Sequence, residues 1–310
     1  LHAMIPSEVV RIGHITAQGN LRSNSTQGNI TLDIDSDAGT IQARANIDNK
    51  GYYTTHITGK DINIAKAIPT SPLTRTDIIL QAEGTITDMQ SLLSGKQGLT
   101  IPTGTFKGMA TQTILMGYEY KNIQLNGAYS PHIYSGKIAI DDPNGQLNLQ
   151  ARYDESQLQP QYTAQIVADS INLHALNLID IHEGRSFSAR LNGNIKGKQF
   201  NHMTGSIKID SLTMHREGDD YSINSIALYS FESETKTLSL NSDFMNAAVK
   251  GDFTYQTIMR SLLAHLHDYL PSLCPSHNHR HITSSNQCLV DLQIKDTEPL
   301  KELLLIPISI

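Results

Sequence analysis

Tryptophan is absent from the 310 residues, and aromatic side chains make up only 6% of them. A sugar-stacking cleft or a base-stacking platform is therefore poorly supplied. Cysteine occurs twice, at Cys274 and Cys288, which allows one bridge but no disulfide framework. An apolar run of about 18 residues, the length a membrane-spanning helix needs, does not occur. Excess positive charge is missing too: 24 basic against 30 acidic residues leave a formal net charge of -6, which argues against nucleic acid as a partner. The usual catalytic signatures are also lacking, with no G-x-S-x-G, phosphate-binding loop, G-x-G-x-x-G after a strand, or H-E-x-x-H. Asp33, Asp35, Asp141, Asp142, Asp219 and Asp220 provide carboxylates, but Asp is at home in turns. We expect no enzyme and no cofactor, and a polysaccharide-active enzyme ranks last among the alternatives. The opening residues Leu1-His2-Ala3-Met4-Ile5-Pro6 resemble neither a start nor a signal peptide, so the chain reads as a segment of a longer protein.

What is present is period-2 alternation. Ile30, Leu32 and Ile34 alternate with Thr31 and Asp33, and Ile41, Ala43, Ala45 and Ile47 with Gln42, Arg44 and Asn46. The pattern returns at Ile138 and Ile140, at Leu147, Leu149 and Ala151, at Ile207 and Ile209, and at Leu238 and Leu240. Each segment predicts a strand with one aliphatic and one polar face. Turn residues at 35–39, 141–145 and 216–220 separate them, so neighbouring strands should be antiparallel. With 39% hydrophobic residues the chain can bury a core, but a one-faced sheet must hide that face in a sandwich, a barrel or an apolar groove.

The chain also resembles itself. Gly28-Asn29-Ile30-Thr31-Leu32 matches Gly136-Lys137-Ile138-Ala139-Ile140 at an offset of 108, and Gln42-Ala43-Arg44 matches Gln150-Ala151-Arg152 at the same offset. Tyr53-Thr54, Ile57 and Ile62-Asn63-Ile64 match Tyr162-Thr163, Ile166 and Ile171-Asn172-Leu173 at 109. This predicts a multi-strand module duplicated in tandem. Leading strands occupy residues 1–27, one copy 28–135, a second 136–237, and the start of a third 238–255. Two separate β-domains are the alternative.

Outside the strand pattern, residues 88–95 read as a short helix ended by Gly95. Residues 256–271 form the one clear amphipathic helix, with Ile258, Met259, Leu262, Leu263, Leu266 and Leu270 on one face and Pro271 as its stop. It is expected to cover the apolar face of the sheet rather than lie on a membrane, because its polar face lacks a Lys/Arg cluster. A His-rich loop spans 272–288. Cys274, His277, His279 and His281 are weak metal candidates there, since their spacing fits no zinc pattern. A strand and a short helix at 298–305 fill residues 289–310. Arg44 and Arg152 recur in the two copies, either as phosphate-recognising residues at a groove rim or as ordinary outer-face side chains.

From Ile166 onward a succession of motifs carries a family resemblance. Ser170-Ile171-Asn172-Leu173-His174-Ala175-Leu176 is followed by Leu191-Asn192-Gly193-Asn194-Ile195-Lys196-Gly197, then by Met203-Thr204-Gly205-Ser206-Ile207-Lys208-Ile209-Asp210. Tyr221 to Ile226 leads to Leu240-Asn241-Ser242-Asp243-Phe244, Val249-Lys250-Gly251-Asp252-Phe253 and, after the helix, Tyr269-Leu270-Pro271. Over residues 160 to 275 this resembles the AsmA/TamB-like translocation and assembly module proteins of the Bacteroidetes type. The His-rich loop departs from the pattern. The resemblance implies a non-enzymatic periplasmic protein, anchored in the inner membrane by a segment outside this chain. Its fold would be an elongated, curled antiparallel sheet that shields phospholipid acyl chains between the two membranes, working with an Omp85-type outer-membrane barrel. The groove-lining residues would be Ile30, Leu32, Ile41, Ile138, Ile140, Leu147, Leu149, Leu191, Ile207, Ile209, Leu238 and Leu240. The rival readings are a chaperone-like β-scaffold that carries no lipid, and a secreted β-sandwich adhesin with a closed core.

Overall fold

The computed structural model describes residues 13–68, 71–86, 102–180, 183–258, 261, 286–296 and 298–299. The protein is mainly β. The described residues form 17 strands that pair antiparallel within each unit, and helices among them are few. By packing, the chain divides into two compact units. One comprises residues 1–152 and 168–187, the other residues 153–167 and 188–310.

In the first unit β1 (Ile15–Ser23), β2 (Gln27–Ser36), β3 (Gly39–Asp48) and β4 (Tyr52–Ile62) pair in sequence order. A one-turn helix α1 (Ile64–Ala67) precedes β5 (Leu73–Thr85). Strand β6 (Thr103–Leu115) pairs with β5, with the short β7 (Tyr118–Tyr120) and with β8 (Ile123–Ser130). Strand β9 (Ile133–Asp142) follows β8, and β10 (Gly145–Asp154) follows β9. Next in order come β11 (Gln161–Ile171) and β12 (Ser186–Lys196). In the second unit β13 (Thr204–Arg216), β14 (Asp219–Glu232), β15 (Lys236–Ser242), β16 (Met245–Asp252) and β17 (Gln287–Ile294) again pair in sequence order.

The strands run further into the turn segments than composition suggests. Ser36 pairs with Gly39 and Arg216 with Asp219, so each hairpin turns on two residues and the flanking polar residues belong to the ladder. At β6–β7 the two turn residues, Met116 (φ 52°) and Gly117 (φ 81°), are both left-handed, which matches the right-handed twist of a hairpin.

One local device occurs twice in the first unit. The amide of Asn63 donates to the Ala38 carbonyl, and that of Asn172 to the Asn144 carbonyl, both at 2.8 Å. Each Asn side chain then accepts from an amide three residues on, Lys66 and Ala175 respectively. Directly before each Asn the strand ends on a left-handed residue and an isoleucine, Asp61-Ile62 and Ser170-Ile171. Directly after each acceptor sits a positive-φ glycine that the bent strand overlies. A Cβ on Gly39 would stand 2.6 Å from the Asp61 carbonyl oxygen, and one on Gly145 would stand 2.7 Å from the Ile171 Cα.

Among the described residues two clusters of buried side chains lie on the strands. Ala110, Tyr120, Ile123 and Leu176 are buried together, with Leu125, Ile138, Ile140 and Ile171 packed on them. Leu176 comes from the segment after Asn172, and it is 3% exposed. In the second unit Val249, Phe253 and Ile258 form a cluster, flanked by Leu238, Tyr255 and Cys288. Residues 255–258 are helical, so the start of the expected amphipathic helix is seen and Ile258 lies on the sheet. Met259, Leu262, Leu263, Leu266 and Leu270 fall outside the described residues or have side chains that do. Outside them too lie the expected helix at 88–95, the loop with Cys274, His277, His279 and His281, and most of the helix at 298–305, of which 298 and 299 are helical. Cys288 carries a free thiol.

Candidate functional site

Strand register turns the alternation into continuous rows, because residues opposite each other across a ladder share a face. In the first unit one row runs Gly19, Leu32, Ala43, Ile57, Leu80, Gly108, Leu125, Ile138. The next runs Ala17, Ile34, Ile41, Gly59, Ile78, Ala110, Ile123, Ile140. A third begins Leu21, Ile30, Ala45 and continues through Ala82 and Phe106. Ile30, Leu32, Ile41, Ile138 and Ile140 therefore share one aliphatic face. Eight strands at about 4.8 Å span about 34 Å along a row. Leu147 and Leu149 alternate with exposed polar neighbours, and the Gln146 side chain donates to Asp141 at 2.9 Å, so both leucines lie on the Ile140 side.

In the second unit Ile207 faces Leu228, which faces Leu240, Ala247 and Leu292 in turn. Ile209 faces Ile226, and Leu238 faces Val249. Leu191 joins the Ile209 face, since its neighbour Asn192 donates to Asp210 on the other side. Of these twelve residues ten are half-buried, while Ile30 and Leu32 are 39% and 37% exposed. None is fully buried. The aliphatic face is thus formed as its alternation requires, and among the described residues it is buried at the two small cores and at Tyr53. At the β1 end Leu21 is 70% exposed.

Glycine lets aromatic rings lie flat on this face. Tyr53 and Tyr129 flank Gly84 and Gly104 in one row, and their hydroxyls meet in a hydrogen bond above the two glycines. Burial, then the bond to Tyr129, pushes the Tyr53 phenol far above its ordinary value. Burial followed by the hydrogen bond to Asp142 raises Tyr118 in the same direction. Asp142 is itself buried, and accepts from the Tyr118 hydroxyl at 2.6 Å and from the Lys121 and Asn144 amides at 2.9 Å each. That network anchors the β9–β10 hairpin and explains Asp142 as a structural carboxylate. Lys236 is buried on the apolar side of β15, donates to the Phe253 carbonyl at 2.8 Å, and lies over the Phe253 and Tyr255 rings at 5.3 and 4.8 Å.

The polar face is not plain. Arg44 lies on it, with Thr31 opposite on one side and His56 on the other. A hollow of about 530 Å³ opens there over β3 to β6, lined by Arg44, His56, Gln81, Lys107 and neighbouring Thr, Asn and Glu side chains. A second, of about 590 Å³, adjoins it and includes Arg152. In the second unit a smaller hollow of about 340 Å³ is bordered by the stacked rings of Tyr229 and Phe231. The sequence marked Arg44 and Arg152 but not His56, Gln81 or Lys107, which only the register brings beside them. Among the described residues no cluster of three metal-ligating side chains occurs, and no helix is long and apolar enough to cross a membrane.

The chain matches no protein-family model, and no curated protein or solved structure matches it.

Proposed function

We propose that this protein shields phospholipid acyl chains on the aliphatic face of its sheet, as a non-enzymatic periplasmic segment of a bridge between inner and outer membrane. In this reading the sheet curls into an elongated groove built from tandem modules of about 108 residues. The Omp85-type barrel is its outer-membrane partner, and the inner-membrane anchor belongs to a part of the protein outside this chain. The observation that carries the proposal is the aliphatic face itself. Its rows are continuous across eight strands of the first unit and across β13 to β17 in the second, yet apart from a few buried positions such as Ala110, Ile123 and Val249 its residues stay half-exposed. A closed sandwich would cover such a face with a second layer. Among the described residues only twelve hydrophobic side chains are buried, few for a filled two-layer core. Apolar patches beyond a few hundred Å² mark binding surfaces, and an acyl chain gains about 0.8 kcal/mol for each CH₂ it buries.

The twice-used hairpin glycine, bulge and Asn cap support the tandem reading, because they recur at offsets of 106 to 109. The resemblance of residues 160 to 275 to the translocation and assembly module proteins supports the periplasmic setting.

Native mass spectrometry with lipid extraction on the chain purified from cells tests the proposal. Co-purified phospholipid is the expected result. A lipid-free, monodisperse protein overturns it and favours the scaffold or adhesin readings.

A further inference from the structure

Four cations of the polar face fall in a single row. Across β2 to β9 the register aligns Thr31, Arg44, His56, Gln81, Lys107, Asn126 and Lys137. No carboxylate interrupts it. Three other cations are paired: Arg75 with Asp61 at 2.6 Å, Lys121 with Glu119 at 2.9 Å, Arg216 with Asp219 at 3.1 Å. Among the described residues Arg44, His56, Lys107 and Lys137 have no such partner, although acidic residues outnumber basic ones in the chain. Arg44 and His56 stand on adjacent strands, about 4.8 Å apart at the backbone, and Lys107 stands two strands further on. The hollow of about 530 Å³ opens between these three, and Gln81, Thr54 and Thr105 add neutral donors to its wall. The single carboxylate of that wall, Glu83, already accepts from the Tyr52 hydroxyl at 2.8 Å.

We infer that this hollow binds the phosphate group of a phosphate-bearing ligand, with Arg44 and Lys107 as its charged contacts and Gln81 between them. Arg supplies a planar fork of donors that matches a phosphate, and Lys supplies a mobile point charge. Like charges held in one row with no anion repel each other, and a bound dianion removes that repulsion. The site lies on the opposite face from the aliphatic rows, so it does not rest on the lipid-shielding proposal, and either can fail alone.

Titration calorimetry of the full chain with inorganic phosphate at low ionic strength tests it. Saturable binding is expected, weakened at least tenfold by Arg44→Ala and by Lys107→Ala and unchanged by Lys60→Ala, which removes a polar-face cation outside the row. All three residues are exposed, so far-ultraviolet circular dichroism should show the fold intact. Competition with vesicles identifies the source: displacement of phosphate by phosphatidylglycerol vesicles, but not by phosphatidylcholine vesicles, assigns a lipid head group. Lack of displacement by either assigns a soluble phosphate compound. Absence of saturable binding overturns the inference, and so does equal binding in the Arg44→Ala, Lys107→Ala and Lys60→Ala variants.

Discussion

Ile30 and its neighbour Asn29 allow the two faces of the sheet to be compared with one charge. They are consecutive in β2, so they point to opposite faces. Both are exposed, so an aspartate at either is solvated in the free protein and leaves folding intact. Ile30 lies in the row with Leu21 and Ala45, while Asn29 faces Arg22 and Asn46. An acyl chain on the aliphatic face would cover the 39% of Ile30 and the 70% of Leu21 that remain exposed. Full burial of such a side chain is worth about 1.5–3 kcal/mol, so these contacts contribute about 2 kcal/mol. A carboxylate at position 30 forfeits them, because the lipid shifts aside rather than desolvate a charge. Ile30→Asp should therefore weaken lipid retention about thirtyfold, whereas Asn29→Asp should leave it unchanged. The readout is phospholipid stoichiometry by native mass spectrometry, with urea melts to show that both variants are equally stable. If the two variants retain equal lipid, the aliphatic face is not where lipid sits.

Other substitutions test the packing. Leu176→Ala empties the centre of the first core and should cost about 2–5 kcal/mol, read as a lower urea midpoint. Lys236→Ala removes a charged hydrogen bond to the Phe253 carbonyl and should cost about 2 kcal/mol. Lys236→Met, which keeps the stem against both rings, should cost less. Tyr53 holds its proton in the folded protein beyond the pH at which the unfolded chain releases it. The Tyr53 contribution to stability should therefore be level below pH about 10 and fall as pH rises further, and Tyr53→Phe should make the alkaline fall in stability shallower. An identical slope in the variant would remove Tyr53 from the account.

Alternation made the aliphatic face legible, since parity alone assigns Ile30, Leu32, Ile41 and Ile138 to one side of a strand. It failed locally at Ile78-Ile79-Leu80, where three apolar residues in succession force Ile79 outward to face Met109 on the polar side, both exposed. Turn boundaries were read too wide, because polar residues such as Asp35 and Asp219 can pair in a ladder as readily as they can turn. The cation row was illegible for a different reason. Arg44, His56 and Lys107 are far apart along the chain, and parity gives the face of each but not its height along the strand. Height is fixed by register, and register here depends on hairpin length and on the bulges at Asp61 and Gln112, each a non-glycine residue with positive φ. The role of Leu176 was hidden too, although its signal existed: Asn172 stands where Asn63 stands in the matching segment, and both Asn side chains cap a short turn.

Pairing between strands consecutive in the chain, seen from β1 to β6 and from β13 to β17, has a consequence for how such a protein changes size. A hairpin is a removable unit of length. Deleting one whole hairpin shortens each row by two residues, about 9.6 Å, while the strands on either side meet with their faces still matched. Deleting a single strand reverses the chain direction of everything beyond it. Lineages carrying this architecture can therefore lengthen or shorten its reach in steps of two strands, keeping one chemistry on each side, without redesigning any interior.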